Sequence, residues 1–95
     1  MSNITYKNNC LALSGPLDFD TVMDLWRSSL PLLAERSELT FDLSSVSNSN
    51  SAGLALLLEW VKYAKNSNKR IHFKNIPSQL LSIAAVSGID KIIIN

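Results

Sequence analysis

The residues able to do chemistry in this 95-residue chain are few: one histidine, one cysteine, a scatter of carboxylates and a run of serines. His72 sits in Ile71-His72-Phe73, where alternation turns it away from two apolar neighbours, a solvent-facing strand position rather than that of a base or metal ligand. Cys10 leads into Leu11-Ala12-Leu13 and reads as a packed strand residue. A single thiol excludes an internal disulfide and any multi-cysteine metal site. A Ser-His-Asp triad has no local support, because Gly53 belongs to no nucleophile elbow. Asp18 and Asp20 could act as general acid and base or as metal ligands, but carboxylates ahead of a helix more simply cap it and offset its dipole. The run Asn48-Ser49-Asn50-Ser51-Ala52-Gly53 could offer free N–H groups and a positive helix end to a phosphate. It lacks the P-loop lysine and its glycine-rich lead-in. No catalytic residue, cofactor or metal site is therefore expected.

That run is nonetheless where the chain is organised, for it passes directly into Leu54-Ala55-Leu56-Leu57-Leu58. Ser49, Asn50 or Ser51 can each accept from the orphan N–H groups of a first helical turn, so a helix is expected from Ser51 to about Ser67. Its wheel places Leu54, Leu57, Leu58, Val61 and Ala64 on one face, the stripe that packs on a core. Ala52, Leu56 and Tyr63 project from nearly the opposite side, with Trp60 on the border. A single sheet would leave that second apolar face in water, as a partner surface would be.

The elements before and after follow from alternation and turn residues. Ile4–Lys7 and Cys10–Ser14 read as a hairpin around Asn8-Asn9, a pair that tolerates left-handed backbone. Gly15-Pro16 is expected to end the second strand. Asp18 or Asp20 can then cap a helix reaching about Ala34, with Val22, Leu25, Trp26, Ser29 and Leu33 on one side and Pro31 causing a kink near Arg27 or an early end. Leu39–Leu43 alternates as a half-buried strand and delivers the polar loop. Ile71–Phe73 is a further strand, Pro77 starts a third helix that Gly88 stops, and Ile92-Ile93-Ile94 forms a short strand or a docked tail. The whole is an α/β fold, a mixed β-sheet with an N-terminal hairpin and about three helices packed mainly on one face.

Composition bounds the function. The length suits one domain over 1–95, 46% of residues are hydrophobic and 18% charged, and the formal net charge is +1. That charge offers no field for nucleic acid or an anionic membrane, and Lys62, Lys65, Lys69 and Arg70 read as a solvated helix end. The longest apolar run is far below the ~20 residues of a membrane span, and Met1-Ser2-Asn3 opens no signal segment, so the chain reads as cytoplasmic, without membrane insertion.

Phe41-Asp42-Leu43-Ser44-Ser45-Val46 followed by Asn50-Ser51-Ala52-Gly53-Leu54 resembles the strand, loop and helix start of the STAS family, the sulfate-transporter and anti-sigma-factor-antagonist domain. The resemblance extends over essentially the whole chain. Leu11-Ala12-Leu13-Ser14-Gly15, Leu17-Asp18, Leu25-Trp26 and the run from Gly53 to Leu58 are similar to one branch of it, the small cytoplasmic subunits of Mla-type phospholipid-transport ABC complexes. The resemblance implies the STAS fold and a non-catalytic role. Such a subunit binds and supports the transporter's ATPase and, through it, meets the permease and the substrate-binding subunit, peripheral to the inner membrane. Ser51 stands where antagonists of the family carry a phosphorylated serine and where the transporter branch carries a hydroxyl at the ATPase interface. Asn50 replaces the family's usual Asp, which removes a negative charge while retaining the ability to cap.

These observations predict a contact made by Asn50, Ser51, Ala52 and Leu56, joined by Trp60 or Tyr63 and by the loop Ser47 to Asn50. A free chain could hide the same face as a weak homodimer. The alternative within the fold is an anti-sigma factor antagonist released by phosphorylation of Ser51, where a phosphate would add roughly −1.5 to −2 charge. A lipid- or small-ligand-binding module needs a cavity that a core this small hardly accommodates.

Overall fold

A computed structural model describes residues 1–94. Strands β1 (Asn3–Lys7), β2 (Cys10–Leu17), β3 (Glu38–Ser49) and β4 (Arg70–Lys74) form one sheet in sequence order. Helices α1 (Val22–Ala34), α2 (Ser51–Asn66), α3 (Ser78–Val86) and α4 (Asp90–Ile93) complete the fold. β1 and β2 are antiparallel, and β2–β3 and β3–β4 are parallel. Both parallel crossovers step the same way across the sheet, so the handedness of such connections puts α1 and α2 on one face. Leu11, Leu13, Leu39, Phe41, Leu43 and Phe73 point to that face and form the core with Leu57, Trp60, Leu80 and Ile93. The other face carries Thr5, Ala12, Thr40, Asp42, His72 and Lys74 and remains largely polar and open.

The hairpin turn is as the asparagines predict. Asn8 and Asn9 have φ of 52° and 63°, the left-handed pair that a two-residue hairpin loop requires. The next expectation needs correction, since Gly15-Pro16 does not end β2. Gly15 takes φ +83°, the register against β3 shifts on either side of it, and the strand continues to Leu17, opposite Ser49. A side chain at Gly15 would lie 2.5 Å from the Met1 carbonyl oxygen, so glycine also lets the N-terminal residues cross here.

The extension of β2 gives β3 a partner past Leu43, with Ser14 opposite Ser45 and Gly15 opposite Val46. The expected polar loop is therefore mostly strand, and Asn50 alone separates β3 from α2. Backbone groups that would otherwise need water are satisfied by the parallel ladder.

Neither Asp18 nor Asp20 caps α1. Thr21 is the N-cap and makes no side-chain cap bond. The Asp18 carboxylate instead accepts from the Asp20 N–H at 3.0 Å and shapes the turn before it. Helix α1 passes through Pro31 to Ala34. Lys69 closes its far end by donating to the carbonyls of Leu33 at 2.8 Å and Arg36 at 2.6 Å, the favourable place for a cation at a helix C-terminus. Of the two forms expected for the C-terminal isoleucines, the strand is absent and the docked tail is present as a short helix, α4, which buries Ile93 in the core.

Candidate partner-binding site

Helix α2 is the element that positions the predicted contact. Asn50 caps it, its Oδ1 accepting from the Ala52 N–H at 2.9 Å. With the cap supplied by Asn50, the Ser51 hydroxyl is left exposed and makes no hydrogen bond among the described residues. The helix start is fixed from both sides. The Asn50 N–H donates to the Leu17 carbonyl at 3.2 Å, and the Ser49 N–H donates to Gln79 Oε1 at 3.3 Å. Gly53 lets this turn approach β2, because a Cβ there would stand 2.9 Å from Leu17 Cβ and 3.1 Å from its carbonyl oxygen.

The second apolar face expected on α2 is not open to solvent. Ala52 and Leu56 are 5% and 4% exposed, and Trp60 is fully buried. Trp60 is core: its ring stacks on Phe41 with centroids 4.3 Å apart, and its Nε1–H donates to Ser29 Oγ at 3.0 Å. Ser29, itself fully buried, donates to the Trp26 carbonyl at 2.7 Å, so the indole N–H and the serine hydroxyl are satisfied together, as buried polar groups must be. Tyr63 is half-buried in an edge-to-face pair with Trp26. The physical reason is α1, which lies along α2 and supplies the cover that a sheet alone cannot. Conversely, Leu58 and Val61, assigned to the core stripe, are only half-buried.

What faces outward is a narrower strip, Ser51, Ala55, Glu59 and Lys62 at successive turns. Beside it, between α1 and α2, runs a groove of about 400 Å³ lined by Phe19, Val22, Met23, Trp26, Ala52, Ala55, Leu56 and Glu59. Ala52 and Leu56 thus form its buried floor rather than a projecting face. Phe19 and Met23 stand on its rim, 73% and 58% exposed. Neither was singled out in the sequence, although Phe19, Met23 and Trp26 recur at the i, i+4, i+7 spacing of a helical strip. The groove continues past Glu59 into a shallower depression bounded by Trp26, Lys62, Tyr63 and Asn66.

Asp42, in the motif that resembles the STAS family, is structural. Asn75 donates to the Asp42 carboxylate at 3.0 Å, as does the Ser44 N–H, and these bonds hold its pKa below the ordinary carboxylate value. Asp42 thereby ties β3 to the segment after β4. Cys10, at the start of β2, is half-buried with its Sγ 3.7 Å from Lys74 Nζ. His72 is exposed on the open sheet face. No group of His, Cys, Asp and Glu able to hold a metal occurs among the described residues, and no described helix is long and apolar enough to cross a membrane.

A mixed sheet opened by a hairpin, with an asparagine-capped helix at the end of β3 and its companions on one face, is the architecture of a STAS domain. The anti-sigma factor antagonist SpoIIAA, solved in its unphosphorylated form, superimposes with a TM-score of 0.73 over 99% of this chain and 86% of its own, at 13% identity. The family model described as the MlaB-type STAS domain matches residues 3–94, and the chain belongs to that family. Among its relatives, the intermembrane phospholipid transport system binding protein MlaB of Escherichia coli (strain K12) is 34% identical over 74 residues, covering 78% of this chain and 74% of that protein. The protein of the same name from Haemophilus influenzae is 28% identical over 96 residues, covering 94% and 91%.

Proposed function

We propose that this chain is a non-catalytic STAS subunit that binds and supports the ATPase of an Mla-type ABC transporter, in the intermembrane phospholipid transport that maintains outer-membrane lipid asymmetry. The transport system is taken from the names of the relatives. The contact itself is supported by one observation: an unbonded, exposed Ser51 hydroxyl beside an apolar groove whose rim carries Phe19 and Met23. Large exposed apolar side chains around a recess mark an interaction site, and seating apolar side chains there is favourable by about 25 cal/mol per Å² before the costs of association.

In this reading Ser51, Ala55 and the groove meet the ATPase, with Ala52 and Leu56 as floor, Tyr63 at the far end and Asn50 acting through the cap. Trp60 contributes by holding α1 against α2. The permease and substrate-binding subunit are reached only through the ATPase, and no step of chemistry is assigned to the chain. Tagged wild-type protein and Ser51→Glu, purified side by side from native cells, test this. A glutamate at the first turn of α2 suits the helix dipole, so the fold is retained while an unpaired charge enters the contact. Recovery of the ATPase and permease by wild type alone is expected. Equal recovery by a folded Ser51→Glu contradicts it, and recovery of a kinase-like anti-sigma factor favours the antagonist reading.

A further inference from the structure

The exposed strip of α2 is arranged symmetrically about Ala55. Ser51 and Glu59 stand four residues before and four after it on one i, i+4 row, all three exposed. Each lies about 6 Å from Ala55 along the helix. The two ends are complementary in chemistry, a hydroxyl that can donate and a carboxylate that can only accept. Neither has a partner among the described residues, and Lys62, one turn beyond Glu59, makes no ion pair with it. Half a turn about an axis through Ala55 reverses the helix and exchanges the two positions. In a pair of chains related in this way, each Ser51 hydroxyl meets the other copy's Glu59 carboxylate. The two Glu59 carboxylates themselves stay about 12 Å apart along the strip, on opposite sides of the axis. The methyl of Ala55 at the crossing point lets the helix axes come to the short end of the usual range of about 8–10 Å.

We infer that the free chain pairs with a second copy of itself across this strip, α2 antiparallel to α2 about a two-fold axis at Ala55, with two reciprocal Ser51–Glu59 hydrogen bonds. An interface of that symmetry needs one patch to supply both the protruding and the receiving parts. The patch does so, since Phe19 and Met23, 73% and 58% exposed, stand on the rim of the groove that Ala52, Ala55 and Leu56 line. Pairing takes those two side chains out of water against the other copy's strip, which is favourable. Charge does not oppose it: Glu59 is the charged residue lining the groove, and Asp24 on α1 is already paired with Arg27 at 3.2 Å. One helix strip and a two-residue rim make a small interface, so the pair is a weak, exchanging one. The inference goes beyond the proposed function and stands without it. Where both hold, self-pairing and ATPase binding exclude each other, because they use the same strip.

Sedimentation equilibrium of the purified full-length chain alone tests this, with a thermal melt of each variant alongside. Wild type should pass from monomer to dimer between about 10 μM and about 1 mM. Ser51→Lys should tighten the dimer about tenfold, because two exposed ion pairs to Glu59 replace two hydrogen bonds. Ser51→Glu sets carboxylate against carboxylate twice and should stay monomeric over the whole range. Adding Glu59→Lys to Ser51→Glu exchanges the charges rather than removing them and should restore the dimer. A purely structural role for Ser51 would move the melts and would not produce this order. Wild type that stays monomeric up to about 1 mM overturns the inference. So does a dimer that Ser51→Lys and Ser51→Glu weaken alike, or one that the exchanged pair does not restore. No ATPase is present in the measurement, so each of these outcomes leaves the proposed function to its own test.

Discussion

Along its inner side α2 places Leu57 and Trp60 without exposed surface against Phe41 and Ser29, and along its outer side it places Ser51, Ala55 and Glu59 in solvent beside a groove. The inner side is a closed account: each apolar side chain has neighbours, and the indole N–H has its acceptor. The outer side is open, since the Ser51 hydroxyl and the Glu59 carboxylate have no partner among the described residues and Phe19 and Met23 are mostly exposed. Both come from one helix, so apolar content does not distinguish them. Completeness of packing does, and on the proposed function that is what separates stability from recognition.

Substitutions on the two sides should therefore fail differently. The largest effect is expected from Trp60→Ala, which removes the stacked ring and leaves the Ser29 hydroxyl without its donor. A loss of about 3–5 kcal/mol, a large part of a small domain's stability, should appear in urea denaturation. A loss under ~1 kcal/mol would mean that Trp60 is not core. Gly53→Ala comes next. Its methyl would meet Leu17 at 2.9 Å, and about 1–3 kcal/mol of overpacking should outweigh the ~1 kcal/mol that alanine gains in a helix. Stabilisation of the Gly53→Ala protein would show that the α2–β2 approach can relax.

The smallest effect concerns Asp42. Its pKa lies below the unfolded value, so its contribution is present above about pH 4 and is lost as pH falls through the lowered folded value. Asp42→Asn should flatten the acid limb of the unfolding free energy by less than ~1 kcal/mol, read from urea denaturation across the pH range, because the site is largely solvated. An unchanged limb would leave the Asn75 bond without energetic weight.

The sequence made some of this plain and concealed the rest for identifiable reasons. Asn8-Asn9 and the polar start of α2 were legible because turns and caps are local chemistry. The lengths of β2 and β3 were not, for Gly15-Pro16 and the serines after Leu43 become strand only by pairing with each other across the chain. Trp60 was ambiguous for the same cause, since Ser29, which settles its place, lies 31 residues away. The groove was half legible: Ala52 and Leu56 stood out on the wheel and Ser51 through the family resemblance, but α1 converts the first two into a floor and brings Phe19 and Met23 to the rim. Family resemblance reached the fold where periodicity alone reached a mixed sheet with helices.

The claim that the outer side of α2 is the recognition surface is tested most directly by the affinity of the ATPase subunit for wild type and for Ala55→Arg, with both proteins melted in parallel. Ala55 is exposed, lines the groove and lies one turn from Ser51. Arginine is at ease on a helix surface and should leave stability within ~0.5 kcal/mol while blocking the recess. The account predicts an unchanged melt with affinity reduced at least about a hundredfold, ~2.7 kcal/mol. A protein that melts as wild type and binds the ATPase equally well would place the contact elsewhere on the molecule.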